Sequence, residues 1–131
     1  MKTPITLLRI TGMICFLFML FHLAFYRLFG WDQNLACLSL SDRGIMLTYH
    51  YVSILMVGFM TFIFLFQAEE ILTSKLRYSL LGMIILFFTI RIITEFTHFG
   101  WNVSRSPVIL LMCLAPVVLL IIALVSNKNQ N

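Results

Sequence analysis

Residues 77–99 read RYSLLGMIILFFTIRIITEFTHF, and this stretch decides both the fold and the place to look for function. From Leu80 to Ile90 it is apolar apart from Gly82 and Thr89; Arg91, Glu95 and His98 then follow at spacings of four and three. At 3.6 residues per turn, those spacings bring three ionisable side chains onto one stripe of a helix. The segment is also long enough to cross a bilayer, whose hydrocarbon core takes ~20 helical residues. Ionisable groups at that depth are costly, so they face protein or enclosed water and mark a functional site.

Three further apolar stretches flank it, and together the four spans are about 6–29, 43–67, 77–99 and 107–126. No Asp, Glu, Lys or Arg occurs in 44–68 or in 106–127. With 61% hydrophobic and 11% charged residues in 131, and a mean hydropathy of +1.01, the chain lies far from soluble globular composition. The expectation is an all-α integral membrane protein: one transmembrane domain over 1–131, four helices in an up-down-up-down bundle. The connections are short. Ser41 or Asp42 is placed to cap the second helix and Thr73 or Ser74 the third. Residues 67–75 read as a polar loop. Pro107 suits a first helical turn, and Pro116 predicts a kink in the fourth span.

The net charge of +4 is not a nucleic-acid signal, because the positive residues are scattered at span ends. With the N-terminus in the cytoplasm, Lys2, Arg9, Lys75, Arg77 and Lys128 lie inside and Arg27, Arg43 and Arg105 outside. That bias favours both termini in the cytoplasm, in a membrane of bacterial plasma-membrane type. Residues 1–25 resemble a signal peptide but lack a small-x-small cleavage site, and Asn34 spoils a lipoprotein box before Cys37. Cys15, Cys37 and Cys113 form no CxxC or CxxCH pattern, which argues against a thiol-redox motif or covalent haem.

Gly12-Met13-Ile14 recurs as Gly82-Met83-Ile84, and Phe29-Gly30-Trp31 as Phe99-Gly100-Trp101. Both pairs share one offset, which is compatible with two duplicated helical hairpins; two independent aromatic anchors are the plainer reading.

At ~1.5 Å per residue, His22, His50, Arg91 and Glu95 fall at similar depths in the outer half of the bilayer, with His98 nearer the interface. The inner half offers only weakly polar Thr11, Cys15, Thr61 and Ser79. Each residue has an ordinary role available: Arg91 and Glu95 as a neutralising pair, His22 bonded to Tyr26 or a carbonyl, His98 among headgroups. The conjunction of so many ionisable groups at one level is harder to assign to structure alone.

The candidate ligand-binding residues are therefore His22, Tyr26, His50, Arg91, Glu95 and His98. A small amphiphilic, quinone-like or anionic ligand suits them best, because Arg matches carboxylate and phosphate groups. A metal on His22 and His50 is disfavoured by Arg91 competing for Glu95, and b-type haem with those two histidines as axial ligands stays open. A structural or accessory subunit bound to a larger membrane partner, or a homo-oligomer, is the other class of reading. Proton relay lacks acids in the inner half, and no serine has a nucleophile elbow. Leu8-Arg9-Ile10-Thr11-Gly12, at the start of the first span of a small four-helix chain, resembles the DoxX-like group of bacterial membrane proteins. That resemblance implies the fold and carries no residue role.

Overall fold

The computed structural model describes residues 2–128, and its regular structure is helical throughout. The first span is α1, Lys2–Leu23. It stops six residues short of the expected 29. Two single-turn helices follow, α2 at Phe25–Leu28 and α3 at Trp31–Asn34, separated by Gly30 at φ 56°. That left-handed conformation suits glycine and turns the chain across the bundle end.

The second span, α4, runs Leu40–Phe66 and starts three residues earlier than expected, because the cap is Ser39 rather than Ser41 or Asp42. Ser39 Oγ accepts from the Asp42 amide at 3.1 Å and donates to the Asp42 carboxylate at 2.7 Å. The expected polar loop at 67–75 instead contains a helix, α5 at Ala68–Thr73, which buries Ala68, Ile71 and Leu72 at helical spacing. The third span is α6, Arg77–Thr94, continued by a wide π-helical turn over Glu95–Phe99. Thr73 and Ser74 do not cap its first turn through their side chains; Ser74 Oγ instead accepts from the Leu76 amide at 3.1 Å. The fourth span, α7, is Ser106–Lys128, helical through buried Pro116. Four helices are thus long and apolar enough to cross a membrane, as an all-α membrane bundle requires.

In lipid the surroundings are as apolar as the core, so close packing holds such helices together more than water exclusion does. The packing order is α4 on α1, α1 on α7, and α7 on α6. The second and third spans, neighbours in sequence, do not pack along each other. The helix α5 explains why. It packs on α1 as well as on the two spans it joins, and so acts as a spacer between them. This order also breaks the two-fold relation that duplicated hairpins would obey, since α1 meets α7 while α4 and α6 stay apart. Gly12 and Gly82 differ in the same way. A Cβ on Gly12 would lie 2.9 Å from Leu65, whereas one on Gly82 would meet nothing within 4 Å. Gly30 and Gly100 do share a positive φ, at 56° and 68°.

The bundle has two unlike ends. At the terminal end, where α1 begins and α7 finishes, the Leu72 carbonyl accepts from Arg77 Nη1 at 3.1 Å and from buried Asn127 Nδ2 at 3.2 Å, tying α5, α6 and α7 together. The distal end carries residues 24–39 and 100–105 and holds the polar groups.

Candidate functional site

Glu95 anchors the distal end. It is fully buried, and both of its oxygens are engaged. Arg91 Nη2 donates to Oε2 at 3.0 Å, one helical turn away, as the i,i+4 spacing anticipates. Ser106 Oγ donates to Oε1 at 2.7 Å, and Arg105 Nη2 stands 3.6 Å from the same oxygen. A buried carboxylate held by one guanidinium and one hydroxyl, with a second guanidinium close by, is well compensated for its lost hydration.

Arg105 and Ser106 come from the far side of a tight turn. Asn102 Oδ1 accepts from the Ser104 and Arg105 amides at 3.0 and 3.1 Å, and the Asn102 amide donates to Ser106 Oγ at 3.0 Å. That local network fixes both residues against Glu95. Phe99 packs between them, its ring centre 4.8 Å from the Arg91 guanidinium carbon and 5.7 Å from that of Arg105.

Two guanidiniums against one carboxylate leave one positive charge over. Arg91 Nη1 and Arg105 Nε are moreover buried without any hydrogen-bond partner. Both residues line a cavity of about 340 Å³ whose other walls are Phe18, Phe21, His22, Phe25, Phe29, Trp31, Asn34, Met46, Phe99 and Ile109. A small number of polar groups in a largely aromatic wall is the usual make-up of a small-ligand site.

The histidines divide. His22 lines the cavity, its Nδ1 donating to the Phe18 carbonyl at 2.9 Å, which leaves the other nitrogen as an acceptor in the neutral ring. His50 is buried with its ring 6.4 Å from that of His22, but it sits behind Trp31 and Phe25 rather than on the cavity wall. Phe25 stacks on both imidazoles, at 4.6 and 5.5 Å. Among the described residues no three His, Cys, Asp or Glu side chains come close enough to hold a metal ion.

His98 is exposed and bonded to Thr97 Oγ1 at 2.6 Å, away from Arg91 and Glu95. The stripe expected from α-helical spacing ends at Glu95, because the π-helical turn advances less angle per residue and swings His98 off the face. Tyr26 is half-buried against Trp31, outside the cavity lining. Hydrogen bonding to the Asp32 carboxylate, and that group's charge, raise the Tyr26 phenol above its ordinary pKa.

Sequence reasoning missed Arg105, Ser106 and Phe99. One signal was present: Arg105 stands at the start of a helix, where the dipole disfavours a cation, so another partner had to justify it.

Fold and site together define an all-α membrane bundle with an aromatic, cationic cavity toward one end. Comparison with protein-family models, curated proteins and solved structures gives no match, so the DoxX-like resemblance of residues 8–12 has no matching family model beside it.

Proposed function

We propose that this chain is a membrane-embedded binding protein for an amphiphile with a singly charged anionic head, of carboxylate type. The observation that carries the reading is the surplus positive charge of Arg91 and Arg105, which share the single carboxylate of Glu95 and both wall one largely aromatic cavity. An uncompensated guanidinium charge in an apolar surrounding is costly, and an anionic head in the cavity offsets it. The single surplus positive charge matches one negative charge. Phe25, Phe29 and Trp31 meet the adjoining apolar part of the ligand. With both termini cytoplasmic, as the charge bias favours, the site belongs to the outer leaflet of the plasma membrane.

The test compares oleate with oleyl alcohol, which has the same chain and an uncharged head, on the full chain in lipid nanodiscs. Oleate should bind roughly ten- to a hundredfold more tightly, the range a charge-assisted hydrogen bond supplies. Arg91→Gln should abolish that preference. Equal binding of the two by the unmodified protein overturns the reading and favours an accessory subunit, for which a co-purifying membrane partner is then the expected finding.

A further inference from the structure

We infer that the ligand's hydrocarbon tail occupies a lateral crevice between α4 and α6, and that the cavity is loaded through it from the bilayer rather than from water. This rests on the reading of the cavity as a site for an anionic amphiphile.

The crevice exists because the second and third spans do not pack together. It has a volume of about 220 Å³, with Ser53 on α4, Phe87, Ile90 and Thr94 on α6, and Phe18 and His22 of α1 completing it. Phe18, His22 and Arg91 line both this crevice and the larger cavity, so the two adjoin, with Arg91 on the wall they share. A head held by Arg91 therefore has an apolar channel directly beside it.

The chemistry of the crevice excludes a polar occupant. Its two hydroxyls are already spent on their own helices: Ser53 Oγ donates to the Tyr49 carbonyl at 2.8 Å and Thr94 Oγ1 to the Arg91 carbonyl at 3.0 Å. Apart from Arg91 and His22, nothing there offers a hydrogen bond to a head group. Depth points the same way. Ile90 lies ~20 Å along α6 from Arg77 at the terminal end, and Phe87 to Thr94 covers ~10 Å around that level, inside the hydrocarbon region. A ligand reaching the crevice at that depth comes through lipid. The aqueous side is overlaid by α2 and α3, whose Phe29, Trp31 and Asn34 line the cavity there.

Head and tail are separable by experiment, with oleate and oleyl alcohol again the probes on the full chain in nanodiscs. Ser53→Trp fills the crevice and should weaken both probes by a similar factor, tenfold or more. Arg91→Gln should weaken oleate alone, to the level of the alcohol. A folded Ser53→Trp protein that binds both probes as before overturns the crevice and leaves the head site standing; an Arg91→Gln protein that still prefers oleate overturns the underlying reading instead. Should Ser53→Trp fail to fold, the unmodified protein decides the matter through a fatty acid bearing a mid-chain diazirine. Cross-links at Ser53, Phe87 or Ile90 are expected. Cross-links confined to outward residues such as Leu55 and Leu111 overturn the proposal.

Discussion

The terminal and distal halves of this bundle solve different problems with the same four helices. In the terminal half, Gly12 lets α4 approach so closely that Leu65 and Phe64 occupy the space of a side chain, and Leu8, Phe64, Leu72 and Leu81 are wholly or almost wholly enclosed. Arg77 Nη1 and Asn127 Nδ2 meet there at the Leu72 carbonyl, although Arg77 Nε is buried without a partner. In the distal half the helices diverge around a cavity, and two arginines keep nitrogen atoms that no protein group satisfies. A bundle needs one well-packed end to be stable. The proposed binding role rests on the surplus charge at the other end, where two guanidiniums meet one buried carboxylate.

Substitutions that separate these two roles sharpen the contrast, and the largest effect belongs to Glu95. Glu95→Leu strands Arg91 and Arg105, and should cost about 3–5 kcal/mol, read as a lowered unfolding midpoint in detergent. Because Arg105 also approaches Glu95, adding Arg91→Met should restore only part of that loss; full recovery in the double variant shows that Arg105 contributes nothing. Next comes Gly12→Leu, which forces α1 from α4 and should cost about 1–3 kcal/mol, whereas Gly82→Leu should leave the midpoint unchanged. Equal losses at the two glycines contradict their unequal packing. Asn127→Leu removes one of two donors to Leu72 and should cost about 0.5–1.5 kcal/mol, with oleate binding unaltered. The smallest effect is expected at His98: His98→Ala should change neither stability nor binding, and a clear loss of oleate affinity places His98 back in the site.

The four spans were legible because apolar runs of bilayer length seldom form anything but membrane helices. Their limits were less so. The first helix stops at Leu23, where Gly30 and the short turns α2 and α3 redirect the chain, and no single residue before Gly30 announces the break. The helix α5 was hidden in a segment whose exposed face, Glu69 and Glu70, reads as loop. Arg91 and Glu95 were found as a pair from spacing alone. The convergence of Arg105 and Ser106 on Glu95 depends on how α7 docks against α6, which local pattern does not encode. His98 went astray for a related reason, since a π-helical turn is invisible to a 3.6-residue count.

Native mass spectrometry of the full chain, extracted from its membrane in mild detergent, tests the claim of a bound amphiphile most directly. The expected result is one retained monoanionic, single-chain adduct on the unmodified protein, lost in Arg91→Gln and kept in Asn127→Leu. A protein that carries no such adduct, or carries it equally with and without Arg91, contradicts it.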